Sequence, residues 1–314
     1  MKLKKSLIGA GVGLAALLLA ACGTNNNPLG TTSSAAPSGS GSSAPGGSAA
    51  IVVGSADFTE SKVLAEIYSQ ALKAKGLQSS TKLGIGSREV YIKALQDQSI
   101  SVVPEYTGNL LLYFDANATA TTAEEVEKAL PDALPSGLKV LKSSPAVDQD
   151  VYVVTKAYSE QNQITSLADL KKVASNAVLG GPPELEKRAY GPQGLEKVYG
   201  AKFKEFKPYA KYPPKIADLD ANKIQVATFF TTDSVISEKG YIELKDPNSL
   251  ILPQNVLPLV RADVSDNATA VSALEAVQSA LTTEDLITLD KKVDTDHQDP
   301  DQVAGDWLKS KGLA

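Results

Sequence analysis

Residues 100–109 read ISVVPEYTGN, and residues 224–233 read IQVATFFTTD. At a constant offset of 124 positions, Leu95 aligns with Leu219, Ile100 with Ile224, Tyr106 with Phe230 and Thr107 with Thr231. Each segment opens on an apolar run of the kind that forms a strand buried on both faces. Each run then ends on an aromatic ring and a hydroxyl that no core requires. A duplication of this kind constrains the 314-residue chain to two like halves. It also predicts that the two ring-bearing strand ends face each other across a gap.

The surrounding pattern alternates strand and helix. IVVGS at 51–55 reads as a buried strand, and Thr59 is a candidate cap for a helix with Val63, Leu64, Ile67, Tyr68, Ala71 and Leu72 on one face. KLGIG reads as the next strand, SREVYIKALQDQ as a helix with Ser87 as its candidate cap, and ISVVP as a strand. The second half repeats this grammar: SLADLKKVAS is a helix opened by Ser166, AVLGG a strand, PQGLEKVYGAKF a helix, PPKIADLDANK a helix and IQVATFF a strand. Three helices close the chain, NATAVSALEAVQSALT, TEDLITLDKKV and PDQVAGDWLKSKG. Such alternation predicts an α/β fold of mainly parallel sheets flanked by helices. In these folds ligands sit beyond the carboxyl ends of the strands, where both aromatic–threonine pairs lie.

The first 21 residues have a basic start (Lys2, Lys4, Lys5) and an uncharged run ending in LLLAAC, the pattern of a secretory signal. Cys22, the only cysteine, follows Leu19-Ala20-Ala21, a stretch that resembles the bacterial lipobox. The expectation is removal of residues 1–21 and lipid attachment at Cys22. Two or more acyl chains, at ~0.8 kcal/mol per buried methylene, suffice for stable anchoring. Residues 23–50 are uncharged and rich in Gly, Ser, Thr, Asn, Ala and Pro, which predicts a flexible tether with a reach of ~30 Å. Cleavage removes three lysines, so 31 basic residues fall to 28 against 36 acidic ones, a net charge of −8. No basic stripe remains to displace counterions from phosphates, which argues against nucleic acid as a partner.

Several chemistries lack their residues. The only histidine, His297, stands in DTDHQDPDQ near the C-terminus and the only cysteine is the candidate lipidation site, which argues against a Ser-His-Asp or a Cys-His arrangement. A transition-metal site has the same shortage, and no GxxxxGK[ST] phosphate loop occurs. Neither a metal nor a cofactor is expected. Carboxylate pairs could serve glycoside hydrolysis, but 6% aromatic residues is sparse for a sugar platform.

GSADFTES, REVYIKALQDQSISVVPEYTGN, RAYGPQGLEKVYG, FFTTD, LPQNVLPLVR and VAGDWLKSKGL occur in this order from about Ile51 to the C-terminus. They resemble the glycine betaine/choline/carnitine (osmoprotectant) substrate-binding proteins of ABC importers. The resemblance implies a two-lobed type II periplasmic-binding-protein fold with a ligand cleft between the lobes, and a binding protein rather than an enzyme. It further implies a monomer that delivers a small quaternary amine or zwitterion to an ABC permease at the extracytoplasmic face of the membrane. The expected division places 51–154 plus 257–314 in lobe one and 155–256 in lobe two, with VYVVT and VLPLV as candidate crossings.

The family holds a quaternary ammonium in a cage of aromatic rings, because a trimethylammonium has no N–H to donate and each ring face contributes ~0.5–2 kcal/mol. By resemblance, Tyr106 matches the first cage tyrosine, Tyr152 the second and Phe230 a third, while Gln254 stands where a fourth tyrosine is common. Asn109 replaces a family threonine, Ala56 replaces a family lysine, and Arg188 matches an arginine that can hold a ligand carboxylate. Each residue also has a plainer role open to it. Tyr106 and Tyr152 could line an ordinary core, Phe229 could be the inward ring instead of Phe230, and Arg188 could pair with Glu184 or Glu186. Thr107 and Thr231 complete the candidate ligand set. Thr59, Asp57, Thr231 and Asp233 fit helix caps at the cleft rim. The departures at Gln254 and Asn109 leave open the same fold with a different amine or amino-acid derivative. A cell-surface hydrolase and a sensory or adhesive module are the further alternatives.

Overall fold

The computed structural model describes residues 50–314; the signal segment, Cys22 and all but the last residue of the tether lie outside them. Among the described residues no helix is long and apolar enough to cross a membrane. In chain order the first half contains β1 (Ile51–Gly54), α1 (Thr59–Ala74), β2 (Ser79–Lys82), α2 (Arg88–Gln96), β3 (Val102–Tyr106), α3 (Thr107–Phe114), α4 (Ala123–Ala133) and β4 (Leu138–Val140). The second half has β5 (Asp150–Val154), α5 (Lys156–Asn162), β6 (Val178–Gly181), α6 (Pro192–Tyr199), β7 (Glu205–Pro208), α7 (Tyr212–Asp220), β8 (Val226–Phe230), α8 (Ser234–Lys239) and β9 (Ile242–Glu243). The chain then returns through β10 (Val256–Arg261), α9 (Ala262–Ser265), α10 (Ala268–Ala280), α11 (Thr283–Asp294) and α12 (Pro300–Ser310).

Two five-stranded sheets result, ordered β2-β1-β3-β10-β4 and β7-β6-β8-β5-β9. Each is mixed. The first three strands of each run parallel, as the alternation requires, and the fourth runs antiparallel because it is where the chain enters or leaves the sheet. The duplication read from sequence is exact in bounds: α2 and β3, shifted by 124, are α7 and β8.

The strand VYVVT was expected in lobe one, as a crossing. It lies in the second sheet, where β5 pairs β8 and β9. The five residues of β5, Asp150–Val154, are all buried, and such a run is stable only with neighbours on both sides. VLPLV likewise sits inside the first sheet, between β3 and β4. The crossings are the short segments just before these two strands. They run side by side, with Val256 N–H donating to Ala146 O at 3.1 Å and Asp148 N–H to Gln254 O at 3.2 Å.

Smaller expectations also shift. KLGIG contributes only Lys82 to β2, and SLADLKKVAS winds as two 3₁₀ segments, Leu167–Lys172 and Ala174–Asn176. Thr59 does not cap α1; Phe58 holds that position and the Thr59 hydroxyl donates to Asp294 at 2.6 Å. Ser87 stands at the N-cap of α2 without a side-chain cap bond and donates to Glu89 instead. Helix α1 is the centre of the first lobe's larger core, where Val63, Leu64, Ile67, Tyr68 and Leu72 pack with Leu274, Val277, Leu286 and Trp307 of the closing helices. A Leu or Ile side chain so buried contributes about 1.5–3 kcal/mol.

Candidate functional site

The two sheets point their strand ends into a cleft of about 800 Å³. Tyr106 ends β3 and Phe230 ends β8, and both line it. They meet through a ring that sequence reasoning missed: Phe58 lies 6.1 Å from Tyr106 and 5.3 Å from Phe230, centroid to centroid. Phe58 follows β1, so it too stands at a strand's carboxyl end. GSADFTES belonged to the recognised pattern, and that position after a strand was the signal for it. Phe229 also lines the cleft, more deeply buried than Phe230 and packed between Tyr212 and Tyr241 at 5.5 and 6.0 Å.

The two threonines beside these rings have a different task. Thr107 N–H donates to Asn255 O while Asn255 N–H donates to Thr107 Oγ1, both at 3.0 Å. Thr231 does the same with Gln149, both bonds at 2.9 Å. Each threonine therefore stitches a strand end to a crossing segment, and neither lines the cleft. The first stitch is tight. A Cβ on Gly108 would lie 2.6 Å from Pro253 O, so only glycine lets α3 approach the crossing this closely.

Tyr152 is not a cage residue. It is fully buried in the second lobe's core, outside the cleft lining, and its hydroxyl donates to Tyr190 O at 2.6 Å. Depth along the strand explains this: Asp150, two positions back and on the same face, is the β5 residue at the cleft end, opposite Phe230. Asn109 and Gln254 do reach the cleft and meet there, donating to the same Asp150 Oδ2 at 2.7 and 3.1 Å. The Gln254 amide is thus spent on a carboxylate of the protein. Burial pushes the Asp150 carboxyl up, and the Asn109 and Gln254 donors counter it.

Arg188 lines the cleft, yet neither Glu184 nor Glu186 is its partner. Its guanidinium donates to both oxygens of Glu89 on α2, at 2.6 and 3.3 Å, and so joins the two lobes. Burial alone would raise Glu89; the Arg188 and Ser87 hydrogen bonds outweigh it and hold that carboxyl at about 2.

The remaining wall is ionic. Arg88 makes a buried bidentate pair with Glu105 at 2.7 and 2.8 Å, and Tyr91 adds a third donor at 2.7 Å. Lys215 of α7 is 4% exposed. Its ammonium lies 4.0 Å from the Phe229 centroid and 4.2 Å from that of Tyr212, and donates to Thr228 O at 2.6 Å. Burial pulls its pKa down to about 8, against the nearby charges of Asp233 and Asp150. Asp233 opens α8 and accepts from Phe230 N–H at 2.8 Å and Tyr212 OH at 2.9 Å; burial raises it to about 6. The acids Glu60, Asp148 and Asp290 complete the lining. Nothing in their local sequence marked them, because they come from three distant segments.

A cleft between two like α/β lobes, walled by rings and carboxyls, suits a small cationic or zwitterionic guest. The comparisons agree with this geometry. The family model described as the substrate binding domain of an ABC-type glycine betaine transport system matches residues 49–310. The glycine betaine-binding protein YehZ of Escherichia coli (strain K12) is 27% identical over 278 residues, covering 83% of this chain and 90% of that protein. A crystal structure of a glycine betaine/carnitine/choline ABC transporter aligns with a TM-score of 0.66 at 17% identity, over 84% of this chain and 99% of that one. Lactococcal OpuAC in its closed form with glycine betaine gives 0.62 at 14% identity, over 84% and 96%. These two structures share the fold. The relatives are substrate-binding proteins of ABC transporters rather than enzymes. The chain belongs to the family of substrate-binding domains of ABC-type glycine betaine transport systems.

Proposed function

We propose that this protein is anchored by lipid at Cys22 on the extracytoplasmic face of the membrane and delivers a small quaternary amine or related zwitterion to an ABC importer. The observation that carries the reading is the gathering of Phe58, Tyr106 and Phe230 in one cleft, with Glu60 accepting from the Tyr106 hydroxyl at 2.5 Å. Ring faces and a carboxylate are the partners a cation without N–H groups can use. The guest stabilises the closed arrangement of the lobes, which the permease selects as a population shift between two states. The protein acts as a monomer, and the tether of residues 23–50 gives the binding domain its reach from the bilayer.

Calorimetric titration with glycine betaine, choline, carnitine and an unrelated amino acid tests this. Tyr106→Ala is expected to weaken quaternary-amine binding about tenfold, the value of one or two ring contacts. Quaternary-amine binding that ignores this change defeats the cage. A second reading, the same fold with a different amine, is favoured by the retreat of Tyr152 into the core and the commitment of Gln254 to Asp150. The same titration separates the two.

A further inference from the structure

Three carboxyl oxygens at the cleft have no hydrogen-bond partner: Glu60 Oε2, Asp148 Oδ2 and Asp290 Oδ1. Their residues are 3%, 1% and 6% exposed, so water does not solvate them freely. They come from α1, from the first crossing segment and from α11, and all three line the cleft. Some of their other oxygens are engaged. Glu60 Oε1 accepts from Tyr106, and Asp148 Oδ1 accepts from the Thr232 hydroxyl at 2.9 Å and its N–H at 3.3 Å.

A buried carboxyl oxygen without a donor is costly, and three together are not a means of holding a fold. Burial pushes all three carboxyls up, and each is raised further by another: Glu60 by Asp290, Asp148 by Glu60, and Asp290 by Asp148. Glu60 and Asp290 also lie within hydrogen-bond reach of each other, so that one shared proton bridges them until a cation displaces it. The buried or half-buried cations of the cleft wall are committed elsewhere. Arg88 is on Glu105, Arg188 on Glu89, Lys62 on Asp57, and Lys215 on Thr228 O and two rings. Among the described residues no group of His, Cys, Asp or Glu is placed to hold a metal ion. The donor set therefore asks for an organic cation. A trimethylammonium would answer the charge but leave the oxygens without donors, whereas an ammonium or guanidinium answers both.

We propose that Glu60, Asp148 and Asp290 form an acidic subsite that takes an N–H-bearing cationic group of the guest, an ammonium or a guanidinium. It adjoins the ring site through Tyr106, whose ring lies toward Phe58 while its hydroxyl holds Glu60. The inference rests on the proposed function to the extent that the rings take the guest's alkylated end. The guest is then a diamine-like molecule, methylated at one nitrogen and protonated at another.

Two probes of similar shape test this on the full chain: (3-aminopropyl)trimethylammonium and butyltrimethylammonium. The amino compound is expected to bind at least about tenfold tighter. Glu60→Gln and Asp290→Asn are each expected to bring the ratio to within about threefold, and both keep a hydrogen-bonding side chain of the same size. Equal binding of the two probes overturns the subsite and leaves the ring reading standing, as does a preference that survives both substitutions. Binding of the amino compound alone, insensitive to Tyr106→Ala but lost in Glu60→Gln, upholds the subsite and defeats the ring reading. Failure of both probes to bind at millimolar concentration defeats both.

Discussion

The two lobes place different chemistry on the same frame. At the 124-residue offset, Arg88, Tyr91, Glu105 and Asn109 of the first lobe stand where Tyr212, Lys215, Phe229 and Asp233 stand in the second. The frame is common: one helix, one strand, and a threonine stitched to a crossing. In the first lobe the buried cation, Arg88, is matched by a carboxylate with two parallel bonds and a tyrosine donor. In the second lobe the buried cation, Lys215, has rings on two sides and one backbone carbonyl, with no carboxylate in hydrogen-bond contact. The first arrangement is closed upon itself. The second leaves an ammonium without a paired carboxylate at the cleft wall, near Asp233 and Asp150, which oppose the fall of its pKa. One duplicated scaffold thus supplies a rigid wall from one half and a responsive wall from the other.

The largest effect is expected at Glu105. Glu105→Ala leaves the Arg88 guanidinium buried without its counter-charge and is expected to cost about 3–5 kcal/mol in chemical denaturation. A cost below 1 kcal/mol would mean that the Arg88 pair is no more closed than its counterpart in the second lobe. Lys215 gives the next largest effect, and its sign is set by linkage. Its folded pKa, about 8, lies below the ordinary value of 10.5, so between these pH values the unfolded chain binds the proton that the folded chain has released. Stability contributed by Lys215 therefore rises with pH across that window, by up to about 3 kcal/mol. Lys215→Met, which keeps an unbranched chain against the rings, is expected to abolish this rise relative to wild type in parallel denaturation series at pH 7.5 and 10. If the rise persists in Lys215→Met, the ammonium is not the group responsible.

What the sequence made legible was the frame. The repeat located α2, β3, α7 and β8 correctly, because a buried strand behind an amphipathic helix has one stable pattern and it occurred twice. Tyr106 and Phe230 were readable for the same reason, as the ends of those strands. Tyr152 was not, because the cleft end of β5 is set by its antiparallel pairing with β8, which places Asp150 opposite Phe230 and Tyr152 two residues deeper, opposite Thr228. Placing β5 in the first lobe failed for a related reason: its buried apolar run, Val151–Val154, does not say which sheet it joins. Arg188 found a partner 99 residues away although two acids lay within four positions, a choice made by the approach of the lobes rather than by helix spacing. Glu60, Asp148 and Asp290 needed three segments to be brought together before any of them looked functional.

The smallest effect on stability concerns a contact that joins the halves. The Arg188–Glu89 pair is half-exposed on the Glu89 side, so Arg188→Ala is expected to cost about 1 kcal/mol or less in denaturation. Its larger consequence is for the balance between open and closed lobes, read as an increase in the radius of gyration by small-angle scattering. Glu89→Ala should do the same, and the double substitution should add little, since both remove one interaction. Acid reproduces the effect: Glu89 is held at about 2, so the contribution is complete above the usual carboxylate range and fades as pH falls through that value. The two substitutions part company only if Arg188 holds the carboxylate of a zwitterionic guest. In that case Arg188→Ala lowers affinity for glycine betaine relative to choline and Glu89→Ala does not. An arginine that serves as a latch lowers affinity for both guests by the same factor, because the loss falls on closure and not on the ligand.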